Sequence, residues 1–183
     1  MTPAQLLALD QIAHAAVACE AACGCPAALS AAQAGLESAW LSRMSGTNNC
    51  FGIKSTAAIP GRELVPTHEW FTPAELEHFL CGDGRTAVPA TPPQQHGART
   101  LYNVRDWFAA FDSLADCFAF HGGLLQRGVY APAWKIYQFD ADFPKYVGAI
   151  AAHYATDPHY SESVLAIASG ANVAKAIAAA RTA

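Results

Sequence analysis

The chain has 183 residues, 52% of them hydrophobic and 14% charged, with a formal net charge of -4. That length suits one compact domain able to bury a core, expected as a single unit over 1–183 with the core at about 20–170. The acidic balance excludes the basic stripes by which proteins hold nucleic acid, and no apolar run approaches the ~20 residues needed to span a bilayer.

The first element reads as an amphipathic helix from Pro3 to Cys19. The stretch starts without Lys or Arg and carries Asp10 inside its apolar run, so it is a poor secretory signal. Export is expected by another route, or after removal of a leader. Six cysteines follow, at 19, 23, 25, 50, 81 and 117. An even set of this size is compatible with disulfides in an oxidising compartment. Buried free thiols are the competing reading. A zinc site at Cys19, Cys23 and Cys25 is disfavoured because paired CxxC spacing is missing, so no metal is expected.

Pro26 opens a second helix, expected to run to Ser42 before the SGTNN cluster at Ser45 to Asn49 stops it. Leu29, Ala32, Leu36 and Ala39 form its apolar face, while Gln33, Glu37 and Trp40 line an adjacent stripe. Glu37 is the only charged residue between Ala21 and Ser42. A carboxylate in so apolar a segment must be hydrogen-bonded, neutralised or set in a cleft wall, where a raised pKa suits a general acid. An ordinary solvated Glu is the alternative.

From Asn49 to Arg105 the chain reads as irregular or strand-like, broken by Pro60, Pro66, Pro73, Pro89, Pro92 and Pro93, with one short helix at Pro73 to Leu80. The segments Glu63–Phe71 and Arg99–Arg105 have period-2 character and are expected as the legs of a hairpin-like lobe over the cleft, at about 55–105, with the segment PATPPQQHG at 89–97 as a mobile loop between them. Asp112-Ser113 caps a helix through Leu125. Thr156-Asp157-Pro158 starts another through Ala168, which makes Asp157 a cap rather than a catalyst. A last short helix follows Gly170.

Five blocks carry a family resemblance. AQAGLESAW (Ala32–Trp40), NNCFGIK (Asn48–Lys54), FAAFDSLADCFAFH (Phe108–His121), YAP (Tyr130–Pro132) and HYATDPHY (His153–Tyr160) occur in the order found in the glucosaminidase domain of glycoside hydrolase family 73, and together bracket about 28–168. The chain resembles that group of flagellar and phage-type peptidoglycan hydrolases, with Cys50 where the family usually has a larger apolar residue. The resemblance implies a mainly α, lysozyme-like fold with a small β-type lobe, and endo-β-N-acetylglucosaminidase activity on peptidoglycan without metal or organic cofactor. It also implies an exported enzyme acting in the periplasm or cell wall.

Under that resemblance Glu37 is the acid, Glu69 on the hairpin is the positional match for a second carboxylate, and Tyr154 orients the substrate's 2-acetamido group or stabilises developing charge. Should no second carboxylate reach the sugar, the acetamido group itself supplies the nucleophile. Phe51, Trp70, Tyr130 and Trp134 offer aromatic faces for pyranose rings, and Gln33, Asn49 and Lys54 offer polar contacts. Core packing competes for Trp40 and Phe51, and turn chemistry for Asn48. A muramidase or lytic transglycosylase on the same fold, or a glycan-binding module without turnover, are the alternatives.

Overall fold

A computed structural model describes every residue except 57, 58, 60 and 156. Eight α-helices are present among the described residues: α1 (Pro3–Cys23), α2 (Ala27–Glu37), α3 (Pro73–Leu80), α4 (Leu114–Leu124), α5 (Ala131–Asp140), α6 (Phe143–Tyr154), α7 (Tyr160–Ala168) and α8 (Ala171–Ala180). Strands β1 (Gly61–Phe71), β2 (Thr86–Pro89), β3 (Gln95–His96) and β4 (Arg99–Ala110) form one small antiparallel sheet.

Local chemistry sets the helix ends. Thr2 and Gln5 form a reciprocal capping box at the start of α1 with Pro3 in its first turn, and Gly24 closes the helix in the left-handed region at φ 77°. The helix therefore runs four residues beyond the expected Cys19. Thr72 and Glu75 repeat the box at α3, and Ser113 and Asp142 cap α4 and α6 through the backbone N–H groups of Asp116 and Lys145. No side chain caps α2 from Pro26; instead the Glu20 carboxylate of α1 accepts the Ala27 N–H at 2.9 Å.

Helix α2 ends at Glu37, five residues before the expected Ser42. The physical reason is a run of left-handed backbone, with φ of 47° at Ala39, 59° at Trp40 and 61° at Leu41. Non-glycine residues enter that region at an energetic cost, so surrounding contacts must hold them there. Ser38 Oγ accepts the Leu41 N–H, and the Trp40 N–H reaches the Gly35 carbonyl. The Trp40 ring folds back onto Gly35 so closely that a Cβ there would lie 2.8 Å from it. The stripe expected for Gln33, Glu37 and Trp40 therefore loses its third member.

Packing of α1 against α2, α4 and α8, and of α2 against α7, forms the core. Leu9, Ile12, Leu29, Phe118, Leu125, Val147, Ile150 and Val164 are its large buried residues. Val173 and Ile177 of α8 belong to it as well, so it extends beyond 20–170 at both ends. Helix α1 has 21 residues and by length and composition is apolar enough to cross a membrane, contrary to the expectation that no such run exists. Its Leu9, Ile12, Ala13, Ala16 and Cys19 nevertheless face the core.

The lobe is more regular than expected. Its two legs pair antiparallel over eleven positions, from Gly61 with Ala110 to Phe71 with Thr100. The segment 89–97, expected as a mobile loop, supplies β3 and the last residue of β2, and both strands pair with β4. Asn49 fastens the lobe to the helices: its Nδ2 donates to the carbonyls of Ile53 and Ala109 at 2.9 Å each, and its Oδ1 accepts the Ile53 N–H.

All six cysteines are free thiols, so the disulfide reading is not what the structure shows. The nearest sulfur pairs are Cys19 with Cys23 at 3.5 Å and Cys50 with Cys117 at 3.9 Å. Among the described residues no three His, Cys, Asp or Glu side chains converge as a metal site.

Candidate active site

A cleft of about 490 Å³ opens between the helical body and the lobe. It is lined by Glu37, by Phe51 to Lys54, by Phe120 and Leu124 of α4, and by Tyr130, Tyr154 and Ala155. Among the described residues a smaller cavity of about 360 Å³ is lined by Glu20, already bonded to Ala27 N–H and Arg181, and by Tyr137, and two other cavities are of similar size to the cleft. One lies beyond Phe120 around Phe111 and Asp116, the other beneath α3. Neither combines a carboxyl with a phenol.

Glu37 reaches the cleft because α2 stops there, so its side chain projects from the last helical position. Tyr160, at the start of α7, donates its hydroxyl to Glu37 Oε1 at 2.8 Å, and Gln33 Nε2, one turn before Glu37, donates to the same hydroxyl at 3.1 Å. As a whole residue Glu37 is exposed, with that surface opening into the cleft, while the protein packed around its carboxyl desolvates it in part. Burial raises its pKa, and the Tyr160 hydrogen bond offsets this only in part. The negative end of the α2 dipole acts in the same direction as burial. Glu37 is thus held toward its protonated form.

Tyr160→Phe removes the one contact that favours the charged form while leaving burial in place, so the Glu37 pKa is expected to rise further. Carboxyl-carbon NMR across a pH series checks this, and a fall instead would mean that burial does not dominate. The same variant orphans the buried Gln33 amide, which costs about 1–3 kcal/mol of stability.

Tyr154 lies at the end of α6 and stacks on Tyr160 with ring centroids 5.5 Å apart. Its hydroxyl is 3.2 Å from Nε2 of His121, a fully buried residue of α4 whose ring lies parallel to Phe51 at 3.7 Å. Burial raises the Tyr154 pKa well above its ordinary value and pushes that of His121 down to about 3, so both are neutral at physiological pH. Tyr130 completes the aromatic wall at 6.3 Å from Tyr154.

On the lobe side Lys54 Nζ donates to Asp106 Oδ2 at 2.6 Å and to Glu69 Oε1 at 2.9 Å, over the Phe108 ring. Arg85 adds a second cation to Asp106 at 2.6 Å. Burial alone raises the Asp106 carboxyl, but Lys54, the Trp107 backbone N–H and Arg85 together more than offset it and leave its pKa lowered. Two cations and two carboxylates balance here, so Lys54 has no unshared charge to offer an anionic ligand.

Glu37, Phe51, Tyr130 and Tyr154 meet in this cleft. Glu69 stands one residue behind its wall, paired to the Lys54 that lines it. Gln33 and Asn49 are fully buried, and their amides hold Tyr160 and the lobe junction rather than open space. Trp70 faces away, into the groove beneath α3 with Phe71 and Phe79. Trp134 packs against Tyr137 and Tyr146. Glu63 is committed to the backbone N–H and hydroxyl of Thr47. Asp157 accepts the His159 N–H in a local turn, but α7 begins only at Tyr160 with His159 at its N-cap and no side-chain cap, so the expected Asp157 cap is not formed; the neighbouring Thr156 lies outside the described residues. Sequence reasoning assigned no role to Tyr160 or His121. Tyr160 lies 123 positions from Glu37 and carries no local signal, whereas His121, an ionisable side chain within the apolar Phe118–Leu125 stretch, was open to the argument used for Glu37.

The family model Glucosaminidase, described as mannosyl-glycoprotein endo-beta-N-acetylglucosaminidase, matches residues 13–173. A search of curated proteins finds no match. Among solved structures the chain is similar to a peptidoglycan hydrolase mutant from Sphingomonas sp. A1, with 20% identity and a TM-score of 0.63 over 95% of this chain and 99% of that one. It is also similar to the catalytic domain of the autolysin Auto from Listeria monocytogenes, with 18% identity and a TM-score of 0.66 over 96% and 89%. A C-terminally truncated glycoside hydrolase domain of Salmonella typhimurium FlgJ matches with 20% identity and a TM-score of 0.57 over 90% and 95%. These likenesses establish the lysozyme-like fold, and the family match over most of its length makes this chain a member of the glucosaminidase family of glycoside hydrolases.

Proposed function

We propose that the chain is a peptidoglycan hydrolase that cleaves the β-1,4 bond following N-acetylglucosamine, exported and acting in the periplasm or cell wall. The observation that carries this reading is the cleft carboxyl of Glu37, kept toward its protonated form beside the Tyr154 hydroxyl. The peptidoglycan hydrolases and autolysin of the same fold support the choice of substrate.

Because Tyr160 donates to Oε1, the Glu37 proton belongs on Oε2, free for delivery to the glycosidic oxygen. As the C1–O bond breaks, positive charge develops at C1. Among the described lining residues Glu37 is the only carboxylate, which favours the substrate's acetamido oxygen as the group that closes onto C1. Water then opens that ring and returns a proton to Glu37, with retention at C1. Glu69 as second carboxylate is the other reading, and it requires the Lys54 contact to part when glycan enters.

Mass spectrometry of fragments released from purified sacculi tests the function. New reducing ends on N-acetylglucosamine are expected. Reducing N-acetylmuramic acid would indicate a muramidase, anhydro ends a lytic transglycosylase, and no fragments a binding module. In the same assay Glu69→Gln is expected to lose no more than about tenfold, well short of the loss from removing a general acid. A loss equal to that of Glu37→Gln would instead make Glu69 the second carboxylate.

A further inference from the structure

We propose that His121 is a positioning residue that holds its single proton on Nε2 and donates it to Tyr154 Oη, so that the tyrosine's own proton points into the cleft as a donor to the sugar. The proposal rests on the glucosaminidase reading for its consequence, but not for the hydrogen bond itself.

His121 is fully buried, flat against Phe51, and neutral, so its ring carries one N–H and one bare nitrogen. Nε2 is 3.2 Å from Tyr154 Oη, while Nδ1 is buried and has no partner among the described residues. Placing the proton on Nδ1 would strand a buried N–H with no acceptor and spend the tyrosine's only proton on the histidine. Placing it on Nε2 leaves only a bare ring nitrogen unpaired. Buried orphan donors are rarer in folded proteins than under-used acceptors, so the Nε2–H form is favoured.

That choice decides what Tyr154 can do. With one lone pair of Oη occupied by His121, the O–H turns toward the cleft that Tyr154 lines. There it can donate to an oxygen of the substrate, the acetamido carbonyl being the one that must be oriented at C1. The opposite tautomer would present a bare oxygen to the same place. The stacked Phe51 ring and the edge-on Tyr154 ring, at 84° to the imidazole, keep the histidine plane from turning.

Nitrogen-15 NMR of the histidine-labelled wild-type protein reads the tautomer directly. A neutral ring with protonated Nε2 from about pH 5 to 8 is expected, and a protonated Nδ1 overturns the proposal. Kinetics on sacculi supply the second arm. His121→Gln can set an amide N–H near the Nε2 position, whereas His121→Asn sets one near Nδ1. The Gln variant is expected to keep at least about tenfold more kcat than the Asn variant, the effect of one well-placed hydrogen bond, with KM and melting temperature alike in the two. Equal kcat in two folded variants overturns the proposal, since a merely structural histidine would not distinguish them. Adding Tyr154→Phe to His121→Asn should cause little further loss. If neither variant folds, the wild-type spectrum decides alone. If the wild type releases no glycan fragments, the glucosaminidase reading falls while the spectrum still upholds or overturns the hydrogen-bond assignment.

Discussion

Glu37→Gln is expected to abolish clearing of sacculi, with kcat reduced by about 10²- to 10⁴-fold, the range supplied by a positioned general acid. The amide keeps the shape of the carboxyl and can still accept from Tyr160, but it has no acidic proton to deliver to the leaving oxygen. Stability is expected to move the other way. A carboxyl whose folded-state pKa is raised makes the folded form less stable above its unfolded pKa, because the charged group is poorly solvated in the fold; that penalty is absent at lower pH. A neutral Gln removes it, so the melting temperature at pH 7 should be unchanged or higher. For the wild type, the alkaline limb of kcat/KM against pH should lie above the ordinary carboxylate range and disappear with Glu37. Near wild-type clearing by the variant would exclude Glu37 as the acid.

Tyr154→Phe is expected to lower kcat by about 10²- to 10³-fold, the usual consequence of losing one hydrogen-bond donor aimed at a reacting centre. The fold should lose less, about 1–3 kcal/mol for the buried His121 N–H left without its acceptor, or roughly 2–4 °C in melting temperature for each kcal/mol in a domain of this size. Both quantities must come from the same variant. A large fall in melting temperature with unchanged turnover would make Tyr154 a core aromatic that happens to border the cleft.

Residues near in sequence carried much of this site openly. Glu37 stood out because its segment is otherwise uncharged, and the caps at Ser113 and the short helix at Pro73–Leu80 follow from local hydrogen-bond chemistry that a sequence displays. The hairpin legs were legible from their alternation, although their full length was not, since Ala109 and Ala110 join β4 only by pairing with Arg62 and Gly61. The early end of α2 was hidden for a different reason. Ala, Trp and Leu at 39–41 favour continued helix by propensity, and only the seat of Trp40 on Gly35 with the Ser38 hydrogen bonds turns them left-handed.

What the amino-acid sequence determined by itself is much of the helical framework, the two long hairpin legs, the family and Glu37 as the candidate acid, because each is written in periodicity, caps or ordered blocks of neighbouring residues. What the tertiary structure alone decided is partnership. It buries Gln33 and Asn49 as supports, turns Trp70 to the far side of the lobe and ties Glu69 to Lys54. It also brings Tyr160 to Glu37 and His121 to Tyr154. These pairings depend on the packing of α2 on α7 and of α4 beside α6 and Phe51, contacts between segments distant in the chain. Hydrogen bonds and burial across such contacts set pKa and proton direction, and no local pattern encodes them.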